Sequence, residues 1–197
     1  MSILNCVIVS LMVSPWAVGQ SARPDTRTTA EATVRSFYRQ VLARHPLGIP
    51  AGATMRIFAP YLSTALLHRI DVATACSRDW ARQHPDPSLK PPQVWLEAGL
   101  FSGDDERASP RQFHLEKVQP GQDGSSVVYV RLTWQEASAP KWNWRVAAVV
   151  LKENGHFVID DIIYLKDDTR RVESRLSGYL SKGCDGPQWV GVDRAKR

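Results

Sequence analysis

The chain has 197 residues, 43% of them hydrophobic and 23% charged, with a formal net charge of +5. That balance belongs to a globular domain and excludes a collagen, a coiled coil, a disordered polymer and a multi-pass membrane protein. The length suits one domain with a tail, and an excess of +5 is too small to make nucleic acid the expected partner.

Residues 1–22 carry no charged side chain. Within them an apolar run, residues 7–13, is followed by Ser14-Pro15 and by Ala17-Val18-Gly19. An apolar core, a helix-breaking proline and small residues before the cut make the layout of a cleaved secretory signal, assigned to residues 1–19. The apolar run is well short of the ~20 residues that a membrane span needs, so no stable membrane insertion is expected after cleavage. Export to the periplasm or beyond is the expectation. It removes Cys6 and leaves Cys76 and Cys184, an even pair that reads as a disulfide in an oxidising compartment. Closing a loop of about 100 residues, such a bridge contributes about 4 kcal/mol in the chain-entropy account.

A polar linker, residues 20–27, leads to the first helix. Thr28-Thr29-Ala30-Glu31 forms a capping-box pattern. Val34, Phe37, Tyr38, Val41 and Leu42 then recur at helical spacing, and Pro46 and Gly48 stop the helix. A second helical region covers residues 53–83 and breaks at Pro60. Leu62, Leu66, Ile70, Ala73, Ser77 and Trp80 mark its buried face. Pro85, Pro87, Pro91 and Pro92 make a stiff connector that cannot be a central strand.

The period then changes to two, with strands expected over residues 112–118, 127–134, 142–152 and 156–165. Gly121-Gln122-Asp123-Gly124 turns the first pair, and Glu153-Asn154-Gly155 turns the last with the strongest short hairpin signal, Asn-Gly. A closing helix is expected over residues 169–182, with Asp167 and Asp168 at its positive end and Val172, Leu176, Tyr179 and Leu180 on its apolar side. Helices, then meandering strands, then a short helix define an α+β fold with the helices on one sheet face.

The wording of several segments resembles a known family. Ser36-Phe37-Tyr38-Arg39 and the run from Ala59-Pro60-Tyr61 to Leu67 are similar to the opening of the bacterial domain of unknown function 3828 family, in the nuclear-transport-factor-2-like (cystatin-like) superfamily. Trp144-Arg145-Val146, Lys152-Glu153-Asn154-Gly155, the run from Val158 to Leu165 and Arg175-Leu176-Ser177 continue the likeness. Phe157 stands where the pattern often carries Trp. The resemblance covers residues 28–182 and leaves 183–197 as a tail. It implies N-terminal helices wrapped by a curved antiparallel sheet, a cone with a pocket, and a bacterial protein that is exported or lipid-anchored. The superfamily hosts isomerases, dehydratases, binding modules and dimerisation domains, so fold alone does not choose among them.

Asp160 and Asp161 are adjacent, so on a regular strand they face opposite sides and cannot act as a pair. On the face of Phe157, Ile159, Ile163 and Leu165, Asp161 is the sole charge. Such a carboxylate suits a general base for proton abstraction, as in ketosteroid-isomerase-like relatives, or else pairs with an arginine such as Arg131 or Arg145. Trp142 and Trp144 share a face, and Trp134 ends the neighbouring strand. The three make either a stacking platform or a sheet core. Trp80 and Trp95 are candidates to floor or rim a pocket, and Trp189 in the tail to lie beside Cys184.

His45, His68, His84, His114 and His156 are scattered without metal-ligand spacing, and no cofactor fingerprint is present in the sequence. Residues 170–197 hold seven basic against three acidic side chains, with Arg171, Arg175 and Lys182 placed to share one helical stripe. That stripe is either a solvated face or a contact for anionic polymer or headgroups. The leading expectation is an exported non-enzymatic domain that binds an unknown small molecule or protein partner, with a homodimer as a further arrangement. The candidate ligand-binding set is Tyr38, Trp80, Trp95, Arg131, Trp134, Trp144 and Asp161. The alternative is a pocket enzyme of isomerase or dehydratase type with Asp161 as general base.

Overall fold

The computed structural model describes residues 29–86, 88, 99–103, 109–137, 139–166 and 170–181. The expected signal (1–19), linker (20–27), the pocket residue Trp95, Cys184 and the tail with Trp189 lie outside the described residues. Helices α1 (Ala30–Arg44), α2 (Gly52–Phe58) and α3 (Thr64–Gln83) come first, with a 3-10 turn over Ala59–Tyr61. Strands β1 (Gln112–Pro120), β2 (Ser126–Trp134), β3 (Trp142–Glu153), β4 (His156–Leu165) and β5 (Val172–Arg175) follow, and α4 (Leu176–Ser181) closes the described chain. The strands form one curved antiparallel meander in the order β1-β2-β3-β4-β5. The architecture is α+β, as the sequence pattern requires.

Capping differs from the expectation at α1. Thr29 is the N-cap, its Oγ1 accepting from Ala32 N at 3.1 Å. Glu31 then falls one position short of the capping-box site, and its carboxylate instead pairs with Arg35 one turn on, at 2.8 Å. The chain leaves α1 through His45, whose positive φ of 45° ends the helix before Pro46 is reached. At α3, Ser63 Oγ accepts from Leu66 N at 3.0 Å and donates to Asp160 Oδ1 at 2.6 Å. Ser63 N donates to Ile159 O at 2.9 Å, so the cap of the long helix is stitched directly onto β4.

Both expected hairpins form. Asn154 and Gly155 take φ of 50° and 84° between β3 and β4, the backbone pair that a two-residue primed turn demands. The closing helix is shorter than its period suggests. Val172–Arg175 is a fifth strand paired with β4, so Val172 is 52% exposed instead of lining an apolar helix face. The proposed stripe of Arg171, Arg175 and Lys182 does not exist as one helical row, because Arg175 ends a strand and Lys182 lies outside the described residues. Strand pairing takes precedence over helical period because the end of β4 would otherwise present an unpaired edge.

Of the described helices, α1, α3 and α4 pack on one face of the sheet and α2 packs against α1. Phe37, Tyr38, Phe58, Leu66, Ile70, Phe101, Leu132, Ile159, Ile162 and Leu176 are all under 2% exposed in one continuous core. A separate apolar cluster, Ala147, Ile163 and Leu165, lies on the opposite face with Val127, Tyr129 and Val149 against it.

Candidate functional site

Between the helices and the end of the sheet runs the segment Gly99–Gly103. Its three central carbonyls are each taken by a different aromatic side chain. Tyr164 Oη donates to Leu100 O at 2.5 Å, Tyr38 Oη to Phe101 O at 3.0 Å, and Trp144 Nε1 to Ser102 O at 2.8 Å. Backbone bonds from Ser102 N and Gly103 N to Gly99 O close the segment into a tight turn. The Phe101 ring meets Phe37 and Phe58 at centroid distances of 5.1 and 4.9 Å. Leu100 and Phe101 thus pack into the buried core between the sheet and the helices. Gly103 sits at φ +68°, and a Cβ there would lie 2.5 Å from the Tyr164 ring, so the segment can approach this closely only as glycine.

Outside the plug, a groove of about 160 Å³ opens at the same end of the sheet, lined among others by Gly103, Trp142, Trp144, Arg145, Tyr164 and Glu173. Trp142 is 45% exposed, and its ring lies 5.1 Å from that of Trp144. Trp134 pairs with Trp142 across β2 and β3. The i, i+2 spacing therefore places these tryptophans together as the sequence implied.

The other candidates are dispersed. Tyr38 is fully buried, and its hydroxyl is spent on Phe101 O; burial drives its ionisation far above the usual tyrosine range. Trp80 lies beside fully buried Cys76 on α3 and stacks on His84 at 4.5 Å, away from the groove lining. The expected Cys76–Cys184 bridge involves a residue outside the described set. Arg131 belongs to the opposite sheet face, where Glu116 Oε1 takes its guanidinium at 2.6 Å.

Asp161 corrects the regular-strand reading in two ways. A bulge in β4 sets Val149 and Val150 of β3 against Asp161 and Ile159, leaving Asp160 unpaired and reversing the face on either side. Ile159 accordingly joins the helix-side core and Phe157 packs against it, while Asp161 shares the outer face only with Ile163 and Leu165. Its arginine partner is Arg175 of β5, at 3.4 Å, and not Arg131 or Arg145. Oδ1 also accepts from Ile162 N (2.9 Å) and Ser177 N (3.0 Å), and Oδ2 from Ser177 Oγ (2.8 Å). The carboxylate fastens the start of α4 to the sheet.

Arg131 and Arg145 converge on Glu116, which a second bulge, between Leu115 and Lys117, turns outward from β1. Arg145 Nε lies 2.9 Å from Glu116 Oε2, with both side chains about nine-tenths buried. The Arg145 hydrogen bond, above the opposing effect of burial and with help from Arg131, holds the Glu116 carboxyl below the usual glutamate range. Beside this triad, Lys117 Nζ and Arg170 Cζ lie 4.5 and 5.8 Å from the centre of the Tyr129 ring. Partial desolvation and, next, the Arg170 charge lower the ionisation of Lys117.

Three participants were not singled out from sequence: the Leu100-Phe101 plug, Glu116 and Glu173. The plug had a signal, an apolar pair framed by Gly99 and Gly103 within a polar connector. The two glutamates had none, because both lie at bulges. Among the described residues no three potential metal ligands gather, and no helix is long and apolar enough to cross a membrane. No family profile, curated protein or solved structure matches the chain.

Proposed function

We propose that this is an exported, non-enzymatic binding domain of the nuclear-transport-factor-2-like cone type, which engages a small ligand or a partner protein at the aromatic-rimmed end of its sheet. One observation carries the reading: Phe101 and its neighbours are packed into the core, whereas Trp142 stands 45% exposed over an open groove. Large aromatic rings are normally buried, and a half-exposed one on a concave surface favours recognition. The helix order, the meandering sheet and the short closing helix support the family resemblance at the level of topology. A disulfide from Cys76 to Cys184 fits this reading, since Cys76 is wholly buried.

The enzymatic alternative needs a carboxylate facing an enclosed cavity. Asp161 instead lies outside the helix-side core with both oxygens engaged, which favours binding over proton abstraction. Native mass spectrometry of the exported protein, compared with its Trp142→Ala variant, tests the proposal. A retained small molecule, or a partner captured on the immobilised protein, should be lost in the variant. Wild type and variant retaining and capturing the same species, or neither retaining anything, would end it.

A further inference from the structure

We infer that the groove is a cation site, which takes the head of an alkylammonium or guanidinium group against the face of Trp142 with Glu173 as counter-charge. The inference rests on the binding reading above and names the chemistry of that same groove.

The charges around the groove decide its sign. Among the described residues, two that carry charge at neutral pH line it, Arg145 and Glu173. Arg145 is held by Glu116 through contacts of 2.9–3.1 Å and shares that carboxylate with Arg131. Glu173 has no hydrogen bond or ion pair to any described residue. Its position has a structural cause. The ladder between β4 and β5 pairs Tyr164 with Ser174 and Leu165 with Val172, so Glu173 is the extra residue of a bulge. Bulges re-aim side chains, and this one leaves a carboxylate at the groove without a cross-strand neighbour. Of the charged side chains known to line the groove, Glu173 is therefore the one with no described partner.

The rest of the lining suits a cation and not an anion or a bulky ligand. Trp142, Trp144 and Tyr164 bring ring systems to the groove, and the negative π face of indole attracts an ammonium or guanidinium group. An anion would meet those faces and Glu173 together. The volume, about 160 Å³, falls below the range of pockets that enclose drug-sized ligands, and matches a charged head on a short aliphatic stem. A lysine or arginine side chain of a partner protein and a free small amine share that chemistry.

The test is a titration of the full mature protein followed by the indole N–H resonance of Trp142, identified by its disappearance in Trp142→Phe. The probes are n-butylammonium, n-butylguanidinium, the N-acetyl amides of lysine and arginine, and neutral n-butanol. A saturable shift with the cations and not with n-butanol is expected, and Glu173→Gln should weaken it about fivefold or more. Tighter binding of the amino-acid amides identifies a protein side chain as the natural occupant, and tighter binding of the simple amines a small molecule; either order supports the site. An equal response to n-butanol, an unchanged midpoint in Glu173→Gln, or no shift with any cation overturns the cation assignment. The binding reading falls separately, if Trp142→Ala leaves retained ligand and captured partner unaltered or if neither protein retains anything. Glu173 is exposed and unpaired, so Glu173→Gln keeps the fold, and the unshifted resonances of the remaining tryptophans verify that.

Discussion

The two faces of the sheet solve different problems. On the helix side the largest fully buried side chains are apolar or, like Tyr38, have their polar atom matched, and three aromatic donors fasten three successive carbonyls of one turn. On the other side an apolar patch of Ala147, Ile163 and Leu165 is flanked by charges held in groups: Glu116 with two arginines, Asp161 with Arg175 and the start of α4. The first face is committed to stability by shape, the second by charge pairing. The groove lies where they meet, drawing Trp144 and Tyr164 from one face and Arg145 and Leu165 from the other. On the proposed reading, recognition falls where neither face, among the described residues, has used up its side chains.

The strongest way to break this contrast is to remove the plug. Phe101→Ala deletes a fully buried ring and should cost about 3–5 kcal/mol, read as a lower urea midpoint at unchanged slope. The same denaturation should show a smaller loss for Gly103→Ala, where positive φ and a collision with Tyr164 together cost on the order of 3 kcal/mol. A Gly103→Ala protein as stable as wild type would show that the turn is not held against the ring.

On the charged face the effects are smaller and depend on pH. Glu116→Gln leaves two arginines with a neutral acceptor and should cost about 1–3 kcal/mol at neutral pH. Because the folded-state ionisation of Glu116 lies below its unfolded value, its contribution is complete above the usual glutamate range and disappears as pH falls through the lowered value. Wild type and Glu116→Gln should therefore converge in stability in acid, whereas wild type and Phe101→Ala should stay apart at every pH. Smallest of all, Arg170→Ala should stay within about 0.5 kcal/mol of wild type. It should still raise the ionisation of Lys117 by removing a neighbouring positive charge, which an ammonium-resonance pH titration detects. An unmoved Lys117 would mean that the two cations over Tyr129 do not sense each other.

Periodicity was enough for most elements, since it records which side of a helix or strand is buried. The stripe through Val34, Phe37, Tyr38 and Val41 became the inner face of α1, and Asn154-Gly155 became the turn between β3 and β4. The same logic failed at Asp160 and at Val172. At Asp160 one inserted residue reverses the alternation, so Ile159 and Asp161 part company although they are two positions apart. At residues 172–175 the local pattern suited a helix, but the free edge of β4 drew the segment into the sheet.

Within the candidate site the legible part was aromatic: the i, i+2 spacing of Trp142 and Trp144 brought their rings together without help from distant residues. Glu116 and Glu173 were illegible for the opposite reason, because their roles arise from bulges and from partners 29 residues away, as for Arg145, or from the absence of one. The sequence by itself determined the order of elements, their faces and their turns, all properties of residues close together in the chain. Tertiary structure alone decided which carboxylate is neutralised and which is left at the groove, because charge compensation depends on distance in space, and a bulge or an edge pairing changes that distance without leaving a local mark.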